Sequence, residues 1–182
     1  MPSAPIKIWA HWGAPNPWKV CMILEALELP YTLQYLEFSE VKNEEYLLLT
    51  PNGRLPAMVD LNTGLSLWES GAIIQYIIDQ YDKEQWISYK TLCKKYQTQQ
   101  WLAFQISGQG PYFGQATWFA RFHPEKVPSA VQRYVDEIFR VTGVLELGLK
   151  RNGSGWLWAK ACCANLKIEG LMAKGRAEHG LK

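Results

Sequence analysis

Glycine and proline divide the first 80 or so residues into segments that are each long enough for only one short strand or helix. Residues 6–11 alternate apolar and polar side chains, as a half-buried strand does. Residues 13–17 break that pattern, and the apolar residues that follow recur at helical spacing until Pro30. We expect a helix that starts near Pro17, with Asn16 at or near its N-cap.

The segments that follow are equally short. The predicted elements are strands at residues 31–38, 57–60 and 66–68 and helices at residues 44–49 and from 69 onward. Residues 62–64 form a turn between the last two strands. The resulting order β-α-β-α-β-β-α predicts a compact α/β domain over residues 1–82.

The second part of the chain has a helical pattern. Residues 81–86 are polar and non-periodic, which favours a linker. Residues 88–122 are helical in pattern, and we expect residues 108–111 to kink or end a helix. Ser129 is a good N-cap for another helix. The pattern fades after Leu149, so an all-helical domain over 88–182 is predicted to be atypical after about residue 150.

Composition excludes several classes of function. A net charge of +2 gives no basis for binding nucleic acid or a membrane surface. The four cysteines include no CxxC pair, so neither a zinc site nor a redox pair is expected, and no other metal is predicted. No apolar run has the length of a signal peptide or a membrane span. We expect a soluble, cytoplasmic protein.

Three stretches resemble one known family. Residues 52–60 with 67–73 resemble the glutathione-binding signature of the glutathione S-transferases, and residues 13–20 resemble their active-site turn. Residues 100–115 are similar to the fungal class related to the yeast nitrogen-catabolite regulator. The resemblance covers residues 6–147 and implies a thioredoxin-like α/β domain followed by an all-α domain. It also implies a homodimer.

The resemblance assigns glutathione contacts to five residues. Leu55, before a predicted cis Pro56, would pair its backbone with the cysteinyl part of the ligand. Glu69 would bind the α-ammonium, and Ser70 the γ-glutamyl carboxylate. Lys42 would bind the glycine carboxylate. Each has a plainer alternative: an ordinary turn at Leu55–Pro56, a helix cap at Glu69–Ser70 and a solvated surface lysine.

Asn16 is the predicted catalytic residue. The turn from Gly13 to Trp18 contains no Tyr, Ser or Cys, so only the Asn16 amide and the Trp18 indole can donate a hydrogen bond to sulfur. The resemblance also implies Asn at this position. Plain N-capping is the alternative. Cys21 is expected to pack in the core, and His11 to pack or lie on the surface.

A hydrophobic electrophile would be the second substrate. The family resemblance places its pocket between the domains. The candidate residues are aromatic or polar side chains from both domains, and most of them are equally good core residues. They are Trp18, Phe104, Gln109, Tyr112 and Phe113, with Trp12 and Trp118 also considered.

The tail departs from the family pattern. A family member continues with more helices, one of which starts with a Ser/Thr-x-x-Asp capping box. Here Cys162 and Asn165 stand at the two capping positions, so the C-terminal domain is expected to be truncated.

The implied function is transfer of glutathione to a hydrophobic electrophile, in detoxification or in fungal secondary metabolism. The alternatives are a non-catalytic glutathione-binding regulator and a glutathione-dependent peroxidase or thiol-disulfide oxidoreductase.

Overall fold

The computed structural model describes residues 2–153 and Leu157, which fall into two compact units. The N-terminal unit comprises residues 2–87, and the C-terminal unit begins at Ser88. The N-terminal unit contains β1 (Ile6–Ala10), α1 (Pro15–Ala26), β2 (Tyr31–Tyr35), a 3₁₀ turn (Glu40–Lys42), α2 (Glu44–Leu49), β3 (Ala57–Asp60), β4 (Leu65–Trp68) and α3 (Ser70–Tyr81).

The four strands form one mixed sheet in the order β2-β1-β3-β4. Strand β1 runs parallel to β2 and antiparallel to β3, and β4 is antiparallel to β3. Ile6, Ile8 and Ala10 of β1 are fully buried, whereas Trp9 of the same strand packs with a smaller cluster around Tyr46 of α2. Helices cover both faces, which confirms the predicted thioredoxin-like α/β fold.

Helix α1 begins earlier than predicted. Ala14 is its N-cap residue and no side chain caps it, while Pro15 occupies the first turn and Asn16 already lies inside the helix. Proline is favoured at the first helical position because that N–H has no partner within the helix. Two prolines stand two residues apart here, and Pro15 takes the first position instead of Pro17.

A buried carboxylate fixes the turn between β3 and β4. Asp60 is fully buried and accepts hydrogen bonds from the Tyr76 hydroxyl (2.6 Å), the Tyr81 hydroxyl and the Asn62 side-chain amide (2.8 Å). Burial alone would raise the pKa of Asp60, but these hydrogen bonds together hold it below its usual value. The charge therefore ties the end of β3 to α3.

The C-terminal unit is helical in its described residues. It contains α4 (Leu92–Phe104), a π-helical segment (Gln105–Gln109), α5 (Gly110–Thr117), a second π-helical segment (Trp118–Phe122) and α6 (Pro128–Asn152). The interruption predicted at residues 108–111 does not end the helix, but regular α-helix gives way to a π-helical segment at Gln105–Gln109 before α5 begins. Pro111 lacks an N–H, and this wider turn accommodates it without ending the helix.

Helix α6 also begins one residue earlier than its predicted cap. Val127 is the N-cap, Pro128 is in the first turn, and Ser129 lies inside the helix without capping it. Gly153 ends the helix with φ +63°, in the left-handed conformation that glycine adopts most easily. The predicted echo of a capping box at Cys162 and Asn165 lies outside the described residues.

Packing between α4 and α6 depends on a small residue. A Cβ on Gly148 would lie 2.5 Å from the Trp101 ring, so glycine permits this close approach. Among the described helices, none combines the length and the apolar character that crossing a membrane requires.

Candidate functional site

The segment before β3 contains the predicted cis peptide. The Leu55–Pro56 bond is cis, and Leu55 is partly buried against the cluster around Tyr46. Among the described residues, no backbone hydrogen bond outside the helices and strands uses the N–H or C=O of Leu55. Both groups remain available to an extended ligand.

The loop preceding Leu55 is packed closely on the 3₁₀ turn. The Lys42 ammonium donates a 2.9 Å hydrogen bond to the carbonyl oxygen of Asn52. Gly53 has φ +56°, and a Cβ there would lie 2.7 Å from both Nζ of Lys42 and the carbonyl oxygen of Val41. Only glycine meets both conditions without strain. The loop at Gly53 therefore packs directly against the segment that carries Val41 and Lys42.

Glu69 faces the same loop from the start of α3. Nδ2 of Asn52 donates to Oε1 of Glu69 at 3.3 Å. Glu69 has φ +70° and occupies the N-cap position of α3, a backbone conformation that non-glycine residues rarely adopt. Lys42, Asn52 and Glu69 therefore form one continuous group at the loop before β3.

Ser70 is the first residue of α3 and is 5% exposed. No side-chain hydrogen bond caps this helix, so the interpretation of Glu69 and Ser70 as a helix cap is wrong. The first backbone N–H groups of α3 remain open to an anion, which the helix dipole also favours. The helix start is thus suited to a carboxylate.

Asn16 is exposed in the first turn of α1. The alternative that Asn16 caps this helix is wrong, because Ala14 holds the N-cap position. The Trp18 indole N–H donates a 2.9 Å hydrogen bond to the carbonyl oxygen of Trp12, and the Trp18 side chain is almost fully buried. Of the two predicted donors to sulfur, only the Asn16 amide is therefore exposed.

Lys19 connects the first turns of α1 with the start of α3. It lies one helical turn after Asn16 and is half-buried. Burial lowers its pKa to about 8, and the nearby Glu69 carboxylate opposes that shift. Helices α1 and α3 pack against each other, and this attraction between Lys19 and Glu69 adds to that packing.

His11 and Cys21 are buried and take part in packing. Nδ1 of His11 accepts a 3.0 Å hydrogen bond from the Gly13 N–H, and its ring packs against that of Phe38, tilted by 33° with 3.9 Å between centroids. Cys21 is 1% exposed, and burial raises the pKa of its thiol to about 12. Its prediction as a packing residue is confirmed. The His11 ring supports the turn that precedes Asn16.

The remaining predicted pocket residues belong to the C-terminal unit. Phe104 ends α4 and packs edge-on against Trp101 at 5.7 Å. Tyr112 lies beside Tyr134 and beneath the Arg140 guanidinium, so α6 holds it in place. Gln109 and Phe113 are half-buried. A pocket that joins these residues to Trp18 stays a prediction.

Sequence comparison agrees with this geometry. Residues 4–79 match the family "Glutathione S-transferase, N-terminal domain". The chain is 50% identical over 165 residues to the glutathione S-transferase-like protein gedE of Aspergillus terreus, covering 87% of this chain and 73% of that protein.

The chain belongs to the glutathione S-transferase family.

Solved structures place it within the Ure2-related group. It matches the glutathione transferase URE2P6 of Phanerochaete chrysosporium, solved with oxidized glutathione, at a TM-score of 0.81 and 42% identity, covering 99% of this chain and 83% of that one. It matches Ure2p in complex with S-hexylglutathione at a TM-score of 0.81 and 32% identity, covering 99% of this chain and 95% of that one.

Two residues of this transferase-family site were not predicted from the sequence. Asn52 lies within the recognised signature, but its contact with Glu69 joins residues 17 positions apart. Lys19 follows Asn16 by three positions, which places both on neighbouring parts of one helix face. That spacing was the available signal for Lys19. Asn52 had no signal of this kind.

Proposed function

We propose that this chain binds glutathione in its N-terminal unit and conjugates the glutathione thiolate to a hydrophobic electrophile. The observation that carries the proposal is the linked group of Lys42, Asn52 and Glu69 beside the cis Leu55–Pro56 bond. Three separate parts of the chain converge there. Each supplies a group that complements one part of the tripeptide.

Glutathione would lie along the loop before β3. The free backbone groups of Leu55 pair with its cysteinyl residue, as an added strand would. Glu69 attracts the α-ammonium, and Ser70 with the start of α3 holds the γ-glutamyl carboxylate. The Lys42 ammonium retains free donors for the glycine carboxylate, since it has three and Asn52 occupies one.

Asn16 would stabilise the sulfur as a thiolate. A thiol with a pKa near 8.5 is mostly protonated at neutral pH, and only the thiolate is strongly nucleophilic. An amide NH₂ donates a hydrogen bond but takes no proton, so the thiol proton leaves to solvent. The thiolate then forms a carbon–sulfur bond to the electrophile, and the leaving group departs with the bonding pair.

The pocket for the electrophile is proposed from Trp18, Phe104, Gln109, Tyr112 and Phe113. The aromatic members favour flat apolar substrates. Action as a cytoplasmic homodimer in detoxification or secondary metabolism belongs to the same proposal. A relative solved with S-hexylglutathione supports a site that tolerates an apolar group on sulfur.

Binding without catalysis is the second candidate. One structural relative is described as the nitrogen regulation fragment of the yeast prion protein Ure2p. A chain that binds glutathione but forms no conjugate would be suited to a regulatory role rather than to a transferase role. Thiol-disulfide exchange through the protein's own Cys21 is disfavoured, because its thiol is buried and has a raised pKa.

The test combines glutathione-affinity retention with a conjugation assay. Wild-type protein should be retained, and it should form a thioether from glutathione and an activated aryl halide, identified by mass spectrometry. Ser70→Ala should weaken retention, because it removes one hydroxyl donor to the γ-glutamyl carboxylate. Thr98→Ala, at a partly exposed position in α4, is the control and should bind as wild type. Absence of retention in the wild type would refute the proposal.

A further inference from the structure

One residue contacts both charged side chains at the two ends of the proposed glutathione site. The carbonyl oxygen of Asn52 accepts a hydrogen bond from Nζ of Lys42 at 2.9 Å. Its side-chain Nδ2 donates to Oε1 of Glu69 at 3.3 Å. Lys42 and Glu69 are 27 positions apart in sequence, and Asn52 bridges them.

Both partners of Asn52 are exposed and intrinsically free to rotate. Lys42 and Glu69 have long side chains at the surface, and fixing each of them on ligand binding costs conformational entropy. A side chain that is already held in the free protein loses less on binding. The two hydrogen bonds of Asn52 would therefore hold Lys42 and Glu69 in place before the ligand binds, which lowers the entropy cost of binding at both ends of the site.

Asn52 itself is held by the turn that surrounds it. The N–H of Gly53 donates to the carbonyl oxygen of Thr50 at 2.9 Å, which closes the turn over Asn52. Gly53 is buried, and its left-handed conformation keeps it against Val41. The Asn52 backbone is consequently fixed on both sides, and its carbonyl oxygen keeps a defined direction.

Glu69, at the other end of the Asn52 bridge, also depends on contacts with other parts of the chain. Glu69 holds a backbone conformation with φ +70° directly before α3. Its carboxylate accepts a hydrogen bond from the amide of Asn52 on the loop. This contact comes from outside α3, so the direction of the carboxylate depends on the loop.

We propose that Asn52 is a positioning residue that couples the two ends of the glutathione site. Its carbonyl orients Lys42 toward the glycine carboxylate, and its amide orients Glu69 toward the α-ammonium. This inference rests on the proposed function. It implies that the two ends do not act independently: loss of the Asn52 amide weakens recognition of the α-ammonium and removes the coupling to Lys42.

Calorimetric titration of the full chain tests the first part. Asn52→Leu keeps the carbonyl and deletes the amide donor. We expect it to weaken glutathione binding about three- to tenfold, which is the net worth of a typical hydrogen bond. Binding of glutaryl-cysteinylglycine, which lacks the α-ammonium, should change less than about twofold. Asn52→Gln, which keeps an NH₂ donor, should recover most of the glutathione affinity.

A structural role alone gives a different pattern. If Asn52 merely maintained the loop, Asn52→Leu would weaken both ligands equally and Asn52→Gln would not restore binding selectively. Either result overturns the inference, as does unchanged glutathione affinity in Asn52→Leu. Thermal melting of each variant verifies that the chain is folded at the titration temperature.

A double-mutant cycle tests the coupling. Lys42→Met and Glu69→Gln are made singly and together, in the wild-type chain and again in the Asn52→Leu chain, and the glutathione affinity of each variant is measured. Their effects should be non-additive by at least about twofold with Asn52 present and additive without its amide. Additivity in both backgrounds contradicts the coupling. A wild-type chain that binds neither ligand refutes the proposed function, whereas wild-type binding with an unaffected Asn52→Leu refutes only this inference.

Discussion

The polar side chains of α1 differ in their surroundings. Asn16 is exposed at the first turn, while Lys19, one turn later, is half-buried near Glu69. An exposed amide is free to meet a ligand, and a partly desolvated ammonium carries an electrostatic cost. The two residues therefore contribute differently, Asn16 to the proposed chemistry and Lys19 to the charge balance around Glu69.

Lys19 should make stability depend on pH. Its pKa in the folded chain is about 8, below its ordinary value of 10.5. Between these values the unfolded chain holds a proton that the folded chain has lost, so the free energy of unfolding rises with pH. Below about pH 8, Lys19→Met should be more stable than wild type, because it removes a partly desolvated charge, and this advantage should be lost as the pH rises from about 8 to about 10.5.

Thermal melting across that pH range measures the effect of Lys19→Met. Lys83→Met replaces an exposed lysine beyond the end of α3 and is the matched control. Its difference from wild type should stay constant over the same range. Equal pH profiles for the two variants would mean that Lys19 retains an ordinary titration in the folded chain.

Sequence reasoning at this scale worked where a local motif exists. Leu55, Glu69 and Ser70 stand in a recognisable signature, and the cis bond before Pro56 follows its expected position. The contact of Asn52 with Glu69 had no comparable signal, because it forms only when the loop folds over α3. Tertiary hydrogen bonds of this kind leave no periodic pattern in a single sequence.

The loop before β3 depends on its glycine. Gly53 adopts φ +56° and lies against the 3₁₀ turn that carries Lys42. Gly64, in the turn between β3 and β4, has φ +73° with nothing within 4 Å of an added Cβ. Comparing substitutions at these two glycines distinguishes backbone strain from steric overlap, since only at Gly53 would an added Cβ meet a neighbouring segment.

Replacing these glycines should have unequal effects. Gly64→Ala should cost about 1 kcal/mol, the strain of a left-handed alanine. Gly53→Ala should cost about 2–4 kcal/mol, because its Cβ also displaces Lys42 or Val41. Denaturant unfolding gives both values, and glutathione titration should show weaker binding only for Gly53→Ala. Equal costs would show that the close packing of this loop is unimportant.

Helix boundaries were the least predictable features of the elements. Proline stands inside the first turn of both α1 and α6, and in each case the helix begins before the residue predicted as its cap. Proline can occupy any of several positions in the first turn, so composition alone fixes the start only approximately. At Gln105–Gln109 the chain stays helical as a π-helical segment, where glycine and proline were expected to kink or end the helix.

At the scale of the molecule, the proposed glutathione contacts and the helical packing lie in different units. Lys42, Leu55, Glu69 and Ser70 belong to the N-terminal unit. The C-terminal unit leaves several large apolar side chains exposed on its helices, among them Phe122 and Phe139. Substitutions inside the C-terminal unit should therefore affect stability without altering the groups that bind glutathione.

Gly148 offers a test of this separation. Gly148→Ala places a Cβ against the Trp101 ring and should cost about 1–3 kcal/mol through overpacking. Gly143, on the same helix, has open space around its Cβ position, so Gly143→Ala should stabilise the chain by about 0.5–1 kcal/mol. Melting temperature measures both changes. Glutathione affinity below the melting range should stay within about twofold of wild type for each.

The central claim is that the N-terminal unit holds glutathione with its sulfur facing Asn16. Ultraviolet absorbance of the thiolate, followed as the complex of protein and glutathione is titrated with base, tests it most directly. The bound thiol should ionise about one to two pH units below free glutathione, and Asn16→Ala should remove most of that difference without abolishing binding. An unshifted thiol in the wild-type complex, or an identical shift in Asn16→Ala, would contradict the account.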